Sequence, residues 1–101
     1  MKFIKNLYIG DKIKNKDRII RRLSKNHPYK NLYCICLDSS SNNLLVILNS
    51  SEIKKDINRN KDYKIIGIAM GKEEAFELTR RIIDSVYKEY GDPIKIREFF
   101  A

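Results

Sequence analysis

Apolar residues come in short runs along this chain, and the spacing within each run separates strands from helices. Phe3, Leu7 and Ile9 share one parity with Lys5 among them, and Ile4 and Tyr8 share the other with Asn6. This imperfect alternation over residues 3–9 predicts a strand, ended by a Gly10-Asp11 turn. A helix follows, starting at Asn15 or Lys16-Asp17 and reaching about residue 25. Asn15 suits the N-cap, Asp17 suits the positive end of the helix dipole, and Ile19, Ile20 and Leu23 form the apolar stripe. Pro28 disfavours helical geometry at His27 and stops it. Residues 31–37 are the clearest strand. Leu32 to Leu37 is apolar on both parities, which fits a central strand covered on both faces.

Residues 38–43, Asp-Ser-Ser-Ser-Asn-Asn, form a turn-rich connection to a second apolar run at residues 44–48, so the two runs predict an antiparallel hairpin. Asn49 or Ser50 then caps a short helix with Ile53 and Ile57 on its inner face, closed by residues 58–62. Residues 63–69 predict another strand, and Met70-Gly71 turns into the longest helix, residues 72–90. Ala75, Leu78, Thr79, Ile82, Ile83, Val86 and Tyr90 line its apolar face. Glu73, Glu74 and Glu77 sit near its N-terminus, and Gly91 suits the C′ position. Residues 93–99 alternate and predict a last edge strand. There are no internal repeats.

The expected order is therefore β-α-β-β-α-β-α-β. It predicts an α+β, α/β-like fold with a mixed five-stranded sheet. The first six elements have the order of the split βαβ, ferredoxin-like motif. A chain of 101 residues holds one hydrophobic core, so residues 1–101 are expected to form a single domain.

Composition narrows the class. With 43% apolar and 34% charged residues the chain is globular in character. No run approaches the roughly 18 to 20 apolar residues of a membrane helix. Lys2 resembles the start of a signal peptide, but Lys5 and Asn6 interrupt the apolar segment such a peptide needs, so a cytoplasmic location is expected. Cys34 and Cys36 point the same way from one strand and converge poorly for a disulfide, so they predict buried, reduced thiols.

No motif assigns an activity. Ile68-Ala69-Met70-Gly71-Lys72 runs from strand to helix through glycine, as phosphate sites do. It lacks both the GxxxxGK[ST] and the GxGxxG pattern, and Glu73 and Glu74 repel an anion there; a plain connecting turn is expected. His27 has no partner at a recognisable spacing. Asp11 and Asp38 each follow a strand, a favourable place for a catalytic carboxylate, but both stand in turn contexts that favour Asp for conformational reasons. No catalytic residue, metal ligand or cofactor is assigned.

Charge adds the one distinguishing feature. The net charge is +8, and all of it lies in residues 1–33, which hold ten Lys or Arg against two Asp; the remainder is balanced. The abundance of Lys, Asn and Ile is also what an AT-rich genome produces. Lys12, Lys14 and Lys16 precede the first helix. Arg18, Arg21, Arg22 and Lys25 share one of its faces at i, i+3, i+4, i+7, and Lys30 follows in the next loop. These eight residues are the candidate polyanion-binding site, and backbone phosphates of RNA or DNA are the expected partner. The favoured function is a non-catalytic binding module. Second stands a protein-interaction or regulatory subunit, homodimeric or with an acidic protein partner, and third a small enzyme. Phe76, Tyr87, Tyr90, Phe99 and Phe100 are expected in the core, with a dimer interface as the alternative.

Overall fold

The computed structural model describes residues 2–25, 27–38, 45–53 and 63–100. Four strands form one mixed sheet: β1 (Lys2–Ile9), β2 (Leu32–Asp38), β3 (Val46–Asn49) and β4 (Tyr63–Met70), in the spatial order β1-β4-β2-β3. β1 and β4 are parallel, and β2 is antiparallel to both β4 and β3. The helices are α1 (Lys16–Ser24), α2 (described over residues 50–53), α3 (Lys72–Tyr90) and α4 (Ile96–Phe99), the last preceded by a 3-10 turn, Pro93–Lys95.

The sheet separates two apolar layers. Ile19 and Leu23 of α1 and Ile53 of α2 pack with Leu32, Cys34, Cys36, Leu48, Tyr63, Ile65 and Ile68 on one face. On the other, Ala75, Leu78, Ile82 and Val86 of α3, with Ile96 and Phe100, pack on Ile35, Leu37, Ile66 and Ala69. β2 alternates between the layers residue by residue, which accounts for its apolar character on both parities. β4 does not alternate throughout. Ile35 pairs with Gly67 and Cys36 with Ile65, so Ile66 is an extra residue in β4, and the strand's parity switches there. A Cβ at Gly67 would lie 3.2 Å from Leu78 and 3.3 Å from Ile35, so the missing side chain is what lets α3 rest this close to the sheet.

The caps at Asn15 and Gly91 stand as expected. Asn15 Oδ1 accepts the Arg18 N–H at 3.0 Å, and Gly91 adopts φ 71° with its N–H on the Tyr87 carbonyl. At the start of α2, Asn49 Oδ1 accepts the Glu52 N–H at 2.9 Å and Glu52 Oε1 accepts the Asn49 N–H at 3.2 Å, a capping box. The predicted turn 39–43, Leu44, Ile57 and the closure at 58–62 lie outside the described residues.

The expected five-stranded, ferredoxin-like sheet is not formed. Four strands are present among the described residues, and β1, which would be central in that motif, is an edge. Helices cover both faces. The fifth strand, expected over residues 93–99, is replaced by the 3-10 turn and α4. Ile96, Phe99 and Phe100 stand at i, i+3 and i+4, and this helical spacing prevails over the short alternation that Ile94 and Ile96 suggest. Ile96 and Phe100 are buried, whereas Ile94 is 69% exposed. Asp92 starts the turn by accepting the Ile94 N–H at 3.0 Å, with Pro93 at the first helical position. Lys64 Nζ then donates to the Phe100 carbonyl at 2.6 Å, which fixes α4 to the sheet.

The aromatic expectation also needs correction. Phe76 and Tyr87 are 55% and 58% exposed, and Tyr90 is exposed apart from an edge contact with Phe99. They lie beside the Ala75–Leu78–Ile82–Val86 stripe rather than on it, because that stripe alone faces the sheet. Of the other side chains expected on the apolar face of α3, Thr79 and Ile83 are half-buried.

Two outcomes test this packing. Ile82 is fully buried, so Ile82→Ala is expected to cost about 2 to 5 kcal/mol, while substituting exposed Lys88 changes stability by no more than about 0.5 kcal/mol. Urea unfolding of the two variants checks this, and equal costs would show the face to be wrongly assigned. The second concerns Cys34, whose burial pushes its thiol from the ordinary 9.0 up to about 12. The unfolded thiol loses its proton first, so this contribution is intact below pH 9 and declines as pH rises towards 12. Within that window wild type should lose up to about 1.4 kcal/mol per pH unit more than Cys34→Ala. Parallel slopes in alkaline unfolding titrations of the two proteins would contradict it.

Candidate nucleic-acid interface

α1 is amphipathic in the strict sense: Ile19 and Leu23 are buried, and the cations occupy the opposite side. All eight candidate residues, Lys12, Lys14, Lys16, Arg18, Arg21, Arg22, Lys25 and Lys30, are exposed, and none makes an ion pair among the described residues. The structure brings half of them together. Arg18, Arg21, Arg22 and Lys25 line one shallow depression of about 380 Å³, joined by His27, and no carboxylate lines it.

The other four diverge. The Lys12 N–H donates at 2.8 Å to Glu74 Oε2, and Lys12 borders a different depression with Asp11, Glu73, Glu74 and Glu77. Its surroundings are acidic and offer nothing to a polyanion. Lys14 stands on the approach to α1 and Lys16 opens the helix; neither lines the basic depression. Lys30 belongs to a third, beside Tyr29 and Asn49.

Several contacts hold the basic depression in shape. Arg22 donates to the Pro28 carbonyl at 3.2 Å, and its guanidinium lies 5.3 Å from the centre of the Tyr29 ring. The His27 N–H bonds the Arg22 carbonyl at 2.9 Å, which folds the chain back so that His27 joins the helix face. Tyr29 is anchored in turn by Ser50, the first residue of α2. Ser50 Oγ accepts the Tyr29 N–H at 2.9 Å and donates to the Tyr29 carbonyl at 2.7 Å. Arg21, Arg22 and Lys25 cluster at the C-terminal end of α1, where the helix dipole favours positive charge. That effect offsets part of the repulsion among like charges at i, i+3 and i+4.

No family model matches the chain, and no curated protein or solved structure matches it significantly.

The remaining candidates are scattered. Asp11 follows β1 near the Met70 end of β4, whereas Asp38 pairs with Tyr63 at the other end. The length of β4 puts about 23 Å between these two ends, so Asp11 and Asp38 share no site. Among the described residues no group of three His, Cys, Asp or Glu side chains is placed to hold a metal. Cys34 and Cys36 are both fully buried, with no disulfide between them. The Gly71-Lys72 turn is closed to anions by Glu74. Its carboxylate accepts the Met70 N–H at 2.9 Å as well as the Lys12 N–H, and it fills the space beside Gly10 where a Cβ would stand. Glu74 thus ties the end of β4 to the loop after β1. Sequence spacing supplied the helix-dipole role of Glu74 but not this one, since its partner loop lies far off in the chain. The same holds for Ser50 and Tyr29.

Ser50→Ala would leave the Tyr29 N–H without its partner, while the Tyr29 carbonyl keeps the Leu32 N–H at 3.2 Å; the expected cost is about 1 to 3 kcal/mol. Chemical unfolding checks the stability. Hydrogen exchange at Tyr29 should quicken by more than at Cys34; an unchanged rate at Tyr29 would show that Ser50 does not hold the loop.

Proposed function

We propose that the chain is a non-catalytic cytoplasmic module that binds the phosphate backbone of nucleic acid through the outer face of α1. One observation carries this reading: Arg18, Arg21, Arg22 and Lys25 share a depression whose lining holds no carboxylate. Four adjacent cations without a counter-charge in that lining are costly to a helix, and phosphates spaced along a strand relieve that cost. Arg22, braced by Pro28 and Tyr29, loses less freedom on binding than a free side chain would. The surface is shallow, and α1 has no recognition-helix partner and the strands no RNP-like aromatic pattern in the sequence, so contact with phosphates rather than base edges is the expected mode. An acidic protein surface is the second reading, supported by the same charges.

Titration of labelled RNA and DNA at several salt concentrations tests it. Affinity should fall with salt at a log–log slope of about −0.9 per phosphate contacted on duplex DNA, or about −0.7 on single strands. Replacing Arg21 and Arg22 together by Gln should weaken binding to every sequence and flatten the slope by about one or two units. Binding weaker than about 10⁻⁴ M at low salt, or a double variant indistinguishable from wild type, would exclude nucleic acid. A specific acidic protein that random nucleic acid does not displace would favour the second reading.

A further inference from the structure

A groove larger than the basic depression lies away from α1. It has a volume of about 710 Å³ and runs along β1, between that strand and α3 and α4. Residues 4–9 line it without a gap, and both side-chain parities are represented, so the groove follows the backbone of β1 and not one of its faces alone. β1 is an edge strand, with β4 on one side and no strand on the other among the described residues. It is also irregular. Phe3 pairs with Ile65 and the next pair is Tyr8 with Gly67, so residues 4–7 stand opposite Ile66 alone and leave the regular ladder. On the side away from β4, the outward-facing backbone groups of this edge strand are open to a new partner. Tyr8, Leu78, Phe99 and Phe100 supply an apolar wall, with Tyr8 and Phe100 in edge contact at 6.0 Å.

The charge of the groove is one-sided. Lys5 and Arg81 are both exposed at its rim, neither makes an ion pair among the described residues, and no carboxylate is among the lining side chains. Arg81 also borders the acidic depression at the start of α3, without pairing to it. Lysine on an edge strand deters pairing with another basic strand. A second copy of this chain, paired antiparallel through β1, would bring Lys5 towards Lys5 in a protein of net charge +8. An acidic strand meets no such barrier.

We propose that the β1 edge, with the groove beside it, captures an extended segment of a partner protein in which apolar residues alternate with Asp or Glu. The segment adds to the sheet as a fifth strand next to β1. Its apolar side chains enter the groove against Tyr8, Leu78 and Phe100, and its carboxylates meet Lys5 and Arg81. Affinity comes from backbone hydrogen bonds and selectivity from the alternate side chains. This site is separate from the basic face of α1.

An array of acetylated heptapeptides tests it. Val, Leu or Phe alternates with Glu in one set and with Lys in a second, and a third repeats the Glu set with N-methylated backbone amides. The Glu set is expected to bind, and the other two are not. Hydrogen exchange with a bound Glu peptide should slow at residues 4–7. Lys5→Glu and Arg81→Glu should each weaken binding about tenfold, and the two together should shift preference to the Lys set. Both side chains are exposed, and a thermal melt confirms that the variants fold. The Arg21→Gln, Arg22→Gln variant should bind the peptides as wild type does, so failure of the nucleic-acid reading leaves this one standing. Equal binding of the Glu and Lys sets, tolerance of N-methylation, protection outside β1, or loss of binding in the Arg21, Arg22 variant would each overturn the proposal. So would dimerisation through β1 in sedimentation experiments.

Discussion

The extra residue in β4 is the constraint on which the rest of the sheet depends. Placing Ile66 and Gly67 on the same side reverses the strand's parity midway. Ile65 and Ile68 can then both face α1 and α2, while Ile66 and Ala69 face α3. The missing side chain at Gly67 is where Leu78 rests. Both neighbouring strands adjust at this level. β2 shifts its pairing between Ile35 and Cys36, and β1 separates from the ladder between Phe3 and Tyr8. A single bulge thus sets the closeness of α3, while the irregularity of the edge comes from β1 itself, whose residues 4–7 stand opposite Ile66 alone.

The same bulge explains what the sequence could and could not convey. Elements whose signals are local were legible: the helix begun by Asn15, the long helix ended by Gly91, and the β2–β3 hairpin. β2 announced its double burial through apolar residues on both parities. The position of each strand in the sheet was not legible, because β1 pairs with β4 from the far side of the chain and no local pattern encodes that choice. The C-terminal segment misled through alternation at Ile94 and Ile96. Asp92-Pro93 and the spacing of Ile96, Phe99 and Phe100 held the correct signal, and only burial against the sheet decides between the two periods. On α3 the width of the apolar stripe was overestimated, since a helix on a sheet buries four positions here and leaves Thr79 and Ile83 half-buried and Tyr90 exposed.

For the basic site the sequence supplied the helix face and the structure supplied its limits. Charge counted along the chain joined Lys12 to Arg22, but the fold binds the Lys12 backbone N–H to Glu74 and sets the Arg22 side chain against Tyr29. What converts a row of cations into a depression is the loop that follows α1. That loop keeps its shape through Ser50, a residue from the other side of the hairpin.

The partnership of β1 with β4 also bears on the order in which the chain acquires its structure. During synthesis β1 leaves the ribosome before the other three described strands, yet its one neighbour among them comes more than half of these 101 residues later. The β2–β3 hairpin can close in the meantime, because its strands are near in sequence. The earliest of these four strands is therefore among the last to be secured. Until residues 63–70 emerge, the apolar face of the N-terminal segment has no sheet to join, and a chaperone that shields short apolar stretches would find its clearest target there.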